Sequence, residues 1–137
     1  MFTRLTTLFL LRCAAALVAM TAAATSAWAE TRLLMAEEPG CMWCARWNEE
    51  IAPIYPKTGE GAAAPLRRMN IQEPTPSDIV LDRRVTFTPT FILLVDGAEK
   101  GRIEGYPGDD FFWGLLGHLL DQEGINFDLK NSTAQEM

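Results

Sequence analysis

The chain has 137 residues, 48% of them hydrophobic, and its 18 acidic residues outnumber its 12 Lys and Arg for a formal charge of −6. This acidic balance favours solubility and offers no basic stripe for a phosphate backbone, so nucleic acid is not expected as a partner. Beyond the N-terminal segment no long apolar run occurs, which argues against a multispanning membrane protein.

Residues 1–29 have the form of a secretory signal peptide. Arg4 and Arg12 supply positive charge, an apolar alanine-rich run extends from Cys13 to Ala24, and Ala27-Trp28-Ala29 is a small-x-small cleavage site before Glu30. The alternative is an uncleaved anchor, but the uninterrupted run after Arg12 is short for a hydrocarbon core of about 30 Å. Removing 29 of 137 residues leaves 108, enough for one small core and hardly for two. The division expected is therefore a signal peptide at 1–29, cleaved on export, one domain at 30–127 and a flexible polar tail at 128–137. Its 10 basic and 18 acidic residues give a mature charge of about −8. Of three cysteines, Cys13 leaves with the leader and Cys41 and Cys44 remain.

Along the mature chain, residues 32–36 predict a short strand, and Glu37-Glu38-Pro39-Gly40 breaks it. Trp43, Trp47, Ile51 and Ile54 or Tyr55 then recur at helical spacing, with Pro53 expected to kink that helix. Gly59-Glu60-Gly61 reads as a loop, and residues 64–71 as a second strand. Pro74, Pro76 and Ser77 mark a turn before a short helix at 78–83. Residues 90–95 are the clearest strand; Asp96-Gly97 is a hairpin signal leading into a strand at 100–106. Phe111, Phe112, Leu115, Leu116, Leu119 and Leu120 form the apolar face of a last helix. Strand–helix–strand–short helix–strand–strand–helix is an α/β order, with a parallel crossover first and an antiparallel hairpin last.

Cys41-Met42-Trp43-Cys44 lies between a strand end and a helix start. A bond between cysteines so close closes only a tiny loop, a poor staple but a suitable exchange site. Free amides and the helix dipole at a helix start favour a thiolate on the first cysteine. Cys41 is thus the candidate nucleophile and Cys44, one turn in, the more buried resolving thiol. An inert disulfide in a binding module and a metallochaperone using both sulfurs are the alternatives. Against metal, the mature chain has no third cysteine, and its only histidine, His118, is expected as a surface or boundary residue of the last helix rather than a ligand. No cofactor is implied.

The strand, the Cys41–Cys44 motif, the helix with Pro53 and Thr88-Pro89-Thr90 together resemble the thioredoxin superfamily. The resemblance implies a compact thioredoxin-like fold with a central four-stranded mixed sheet flanked by helices, lacking the leading strand and helix of full thioredoxin. It also implies that Pro89 is cis and faces the cysteines, and that the Thr88 backbone pairs with an extended substrate. Met42-Trp43 replaces the common Gly-Pro, and Trp43 is either a partner contact or packing, whereas Trp47 is expected in the core. Met35 stands where thioredoxins carry a buried aspartate; Glu37 and Glu38 are nearby substitutes, with exposed turn carboxylates the blander reading.

Trp47, Glu50, the run Pro53-Ile54-Tyr55-Pro56-Lys57-Thr58 and Ala64-Pro65-Leu66-Arg67-Arg68 resemble more closely the small periplasmic thioredoxins of bacterial sulfur-oxidation systems, the SoxS family. That resemblance implies a monomeric reductant in the periplasm after cleavage at Ala29-Glu30, acting on a protein disulfide or persulfide, the SoxYZ carrier, and recharged by a membrane thiol-transfer protein. A reductant for cytochrome c maturation, an oxidant and an isomerase remain as alternatives of the same fold.

Overall fold

A computed structural model describes residues 29–128. The predicted signal peptide, except Ala29, and the predicted tail, except Asp128, lie outside the described residues. The elements are β1 (Thr31–Glu37), α1 (Met42–Glu50), a 3-10 turn (Tyr55–Lys57), α2 (Gly59–Ala63), β2 (Leu66–Asn70), β3 (Thr90–Val95), β4 (Ala98–Glu104) and α3 (Asp109–Gln122). The sheet runs β2-β1-β3-β4. β1 pairs in parallel with β2 and antiparallel with β3, and β3 pairs antiparallel with β4. This is the mixed four-stranded thioredoxin-like sheet expected, and no described strand or helix precedes β1.

The two central strands are apolar on both faces because both faces are covered. Leu33 and Met35 of β1 with Phe91 and Leu93 of β3 meet Cys44, Trp47, Phe112, Leu116 and Leu120 from the helices. Leu34, Ala36, Ile92 and Leu94 meet Ile79 and Val85 on the opposite side. Trp47 is fully buried and packs on Phe91 at 5.2 Å and edge-on to Phe112 at 5.7 Å, so α1 is fastened to the sheet one turn beyond Cys44. On the other side of the same layer, α3 lies so close to β4 that a Cβ at Gly101 would come within 2.6 Å of Leu119.

Several expectations are corrected. The helix does not continue through a kink at Pro53: it ends at Glu50, where the amides of Ile51 and Ala52 both donate to the Trp47 carbonyl. The residue before a proline is disfavoured in the helical region, so the chain turns there instead. The periodicity nevertheless marks one buried face, since Trp47, Ile51 and Tyr55 are all in the core while Ile54 is exposed. The predicted loop at Gly59-Glu60-Gly61 is the start of α2. Thr58 caps it, accepting from the Gly61 amide at 3.0 Å. Gly61 is required by close approach, as a Cβ there would lie 1.8 Å from the Tyr55 carbonyl oxygen.

The predicted helix at 78–83 does not form. Val80 makes a parallel bridge to Ala98, its amide donating to the Gly97 carbonyl and its carbonyl accepting from Glu99, so the free edge of β4 captures the segment. The last strand begins at Ala98, directly after the Asp96-Gly97 turn, and ends at Glu104 rather than Tyr106. Both turn residues have positive φ, 51° and 78°, the conformation that makes Asp-Gly a hairpin turn. On α3, Phe112, Leu116 and Leu120 are buried, but Phe111 and Leu115 are exposed, so the apolar face is narrower than its sequence pattern.

Candidate functional site

The cysteines sit where β1 hands over to α1. Gly40 turns the chain with φ of 79°, and the Cys41 amide donates to the Glu38 carbonyl at 3.3 Å. Cys41 is the N-cap of α1: its backbone is extended and its Sγ accepts the Cys44 amide at 3.1 Å. A thiolate at this atom would receive the same amide and the positive end of the helix dipole. No acidic side chain occupies the first turn of α1 to oppose it. Cys41 is half-buried, whereas Cys44 is 3% exposed within the core beside Trp47. The two sulfurs are bonded, with Cα atoms 5.2 Å apart.

The Thr88-Pro89 bond is cis, as the resemblance implies. The loop around it is tied on each side, with Thr90 Oγ1 donating to the Phe87 carbonyl at 2.7 Å and the Gly105 amide donating to the Pro89 carbonyl at 2.7 Å. A side-chain bond joins this loop to the cysteine turn: Thr88 Oγ1 donates to Glu38 Oε1 at 2.7 Å. Three apolar side chains are exposed on these two segments, Met42 and Trp43 between the cysteines and Phe87 before Thr88. Trp43 is therefore not packed into the core; the Arg46 guanidinium lies over its ring at 5.6 Å. Arg46 is in turn paired with Glu50, whose other oxygen accepts the Tyr106 hydroxyl at 2.6 Å.

Met35 is fully buried, and the charges near it are arranged differently from a buried aspartate. Arg68 reaches toward the Met35 sulfur at 3.6 Å, takes both Glu37 oxygens at 2.9–3.0 Å and donates to Asn48. Glu37 and Glu38 are thus half-buried and engaged, Glu37 by Arg68 and Glu38 by Thr88, rather than loose turn carboxylates. Glu38 stands out in the sequence only as a carboxylate near the cysteines and Arg68 only as part of a motif; their partners lie 50 and 31 residues away along the chain and leave no local signal.

Burial and the Glu50 carboxylate push the Tyr106 phenol well above its ordinary range. Glu50 itself is held below the usual carboxylate range, first by the Tyr106 hydroxyl and then by Arg46. His118 is exposed on α3, and no group of three or more His, Cys, Asp or Glu among the described residues could hold a metal ion.

A cysteine pair bonded at a helix start, in a four-stranded α/β sheet with a cis-proline loop alongside, defines a thioredoxin-like thiol–disulfide oxidoreductase. No family model matches the chain, and no curated protein matches it. Among solved structures it is similar to the periplasmic thioredoxin SoxS from Paracoccus pantotrophus in its reduced form. The two are 56% identical with a TM-score of 0.68, over 69% of this chain and 99% of that one. The chain belongs to the SoxS family of periplasmic thioredoxins, and its compartment is the periplasm. Its activity is exchange of a redox-active disulfide with thiol and disulfide partners, as in SoxS-type function in sulfur oxidation.

Proposed function

We propose that the protein works as a reductant that reactivates the cysteine of a sulfur-oxidation carrier, SoxYZ, through a mixed disulfide, with Cys41 as nucleophile and Cys44 as resolving thiol. The observation that carries the assignment of roles is the asymmetry of the pair: Cys41 caps α1 and is half-buried, while Cys44 is one turn in and nearly inaccessible. Only the first sulfur can be reached by a bulky partner.

The cycle begins with both thiols reduced. The Cys41 thiolate attacks the partner's disulfide, forming a bond from Cys41 to the partner cysteine and releasing the other sulfur as a thiolate that takes a proton. Cys44 then loses its proton and attacks the Cys41 sulfur, forming the Cys41–Cys44 bond and releasing the partner cysteine reduced. Two electrons and two protons pass from the pair to the partner. A membrane thiol-transfer protein returns them by the reverse exchange. Thr88 and Pro89 would align the partner's extended backbone, and Trp43 would cover its apolar side chains.

Cys44→Ser should stop the second step and accumulate a covalent complex through Cys41 in periplasmic extracts. The complex should disappear in Cys41→Ser/Cys44→Ser. Mass spectrometry of the trapped species identifies the partner. Absence of any trapped protein together with unchanged turnover would overturn the roles, and a trapped partner unrelated to sulfur oxidation would overturn the carrier assignment.

A further inference from the structure

Glu38 lies between the two halves of the site and belongs to neither. It follows β1 and precedes the turn at Gly40, and two of its groups are committed in different directions. Its main-chain carbonyl accepts the Cys41 amide at 3.3 Å. Its Oε1 accepts the Thr88 hydroxyl at 2.7 Å, across 50 residues of sequence. One residue therefore fixes the cysteine turn by its backbone and the cis-proline loop by its side chain.

The hydrogen-bond pattern of that loop gives the link a consequence. The carbonyls of Phe87 and Pro89 are both occupied, by Thr90 Oγ1 and the Gly105 amide. The Thr88 hydroxyl is occupied by Glu38. The Thr88 amide and carbonyl have no hydrogen-bond partner among the described residues. What the loop presents to an incoming chain is then one main-chain donor and acceptor pair, held in place by the side chain of the same residue.

We propose that Glu38 is a positioning residue for partner binding: through Thr88 it sets the distance and orientation of the Thr88 peptide relative to Cys41. The proposal rests on the reading that Thr88 aligns the partner. Glu37, the neighbouring carboxylate, cannot replace it, because Arg68 holds both its oxygens. The role requires an acceptor, not a charge. It acts before the sulfur chemistry, so losing it should weaken binding of a polypeptide disulfide and leave the chemical step intact.

The test is steady-state reduction of insulin by the protein purified from the periplasm, with dithiothreitol as electron donor. Glu38→Ala and Thr88→Val should each raise KM roughly tenfold with kcat changed less than about twofold, a loss in keeping with one hydrogen bond. Glu38→Gln and Thr88→Ser, which keep acceptor and donor, should stay within about threefold of the parent KM. The double variant Glu38→Ala/Thr88→Val should be no worse than either single change, since both remove the same bond.

Additive losses in the double variant, a fall in kcat at unchanged KM, or Glu38→Gln behaving as Glu38→Ala would each overturn the proposal. Cys41→Ser in the same assay separates the two levels of inference. Retained turnover there removes the exchange mechanism itself, whereas abolished turnover with silent Glu38 and Thr88 variants removes only the positioning role.

Discussion

Glu99 and Arg102 form the one ion pair among the described residues whose two side chains are both almost out of water, at 3% and 6% exposure. Glu99 Oε1 takes Arg102 Nε at 2.5 Å, while Oε2 takes Arg102 Nη2 at 2.6 Å and the Asp82 amide at 2.9 Å. Arg102 Nη2 also donates to the Arg83 carbonyl, so the pair pins residues 82–83 to the edge of β4. Glu99→Leu would leave the nearly buried Arg102 guanidinium with only the Arg83 carbonyl on Nη2 and the more distant Glu104 carboxylate, 3.8 Å from an Nη1 that has no hydrogen-bond partner. Removing one member of a buried pair costs roughly 3–5 kcal/mol, a large share of the ~5–15 kcal/mol stability of a small domain. At about 4–8 °C per kcal/mol for a domain of this size, the melting temperature should fall by roughly 12–40 °C.

The double variant Glu99→Leu/Arg102→Leu removes the charge as well and should regain most of that loss, to within about 2 kcal/mol of the parent. Urea unfolding of the oxidised protein at pH 7, followed by tryptophan fluorescence, measures all three. A single variant that loses less than about 1 kcal/mol, or a double variant no more stable than the single, would refute the reasoning. The pair also predicts a pH dependence. Burial pushes the Glu99 carboxyl up, but Arg102 and the Asp82 amide outweigh it and hold the group below its ordinary value. A depressed carboxyl stabilises the fold above its unfolded pKa and loses that contribution as pH falls through the lower folded value. The double variant should therefore lose stability less steeply than the parent as acid is added between those two values.

Tyr106→Phe removes the hydroxyl that contributes most to holding Glu50 low. The Glu50 carboxyl should titrate at higher pH by NMR, and stability should decline less steeply with acid, since less depression means less to lose. Gly61→Ala forces a methyl to within 1.8 Å of the Tyr55 carbonyl oxygen and should destabilise the fold by roughly 1–3 kcal/mol in urea unfolding, whereas relief of backbone entropy alone would stabilise it. Trp43→Ala should change stability by less than about 0.5 kcal/mol, because its side chain is about half exposed, with Arg46 over its ring, and lies outside the buried core; a larger loss would show that it is packing rather than a contact surface.

Much of the molecule was legible from local pattern. Residues 90–95 read as a strand and form β3 with those limits, because a strand buried on both faces is apolar along nearly all its length; its one buried polar side chain, Thr90, is satisfied by the Phe87 carbonyl. Asp96-Gly97 announced the hairpin because few residues adopt its positive-φ turn. Cys41 and Cys44 were legible because their spacing, compartment and helix start are all local. The misreadings have a common cause. Residues 78–83 read as a helix from the turn residues before them, yet the open edge of β4 offers Val80 main-chain partners that the sequence cannot display. Gly59 and Gly61 looked like loop punctuation, but Gly61 is glycine because Tyr55 passes too close for a side chain.

By itself, the sequence determined the chemistry: an acidic exported chain with a Cys41–Cys44 pair ahead of an amphipathic helix, and a Thr88-Pro89 step before an apolar strand. Propensity, periodicity and thiol spacing act over a few residues, so they can be read along the chain. The tertiary structure alone decided how the pair is served. It turned Trp43 outward, gave Glu37 to Arg68 and Glu38 to Thr88, and so joined the cysteine turn to the cis-proline loop. Those choices depend on groups separated by 31 and 50 residues, whose meeting is fixed only when β1, β2 and β3 align in one sheet.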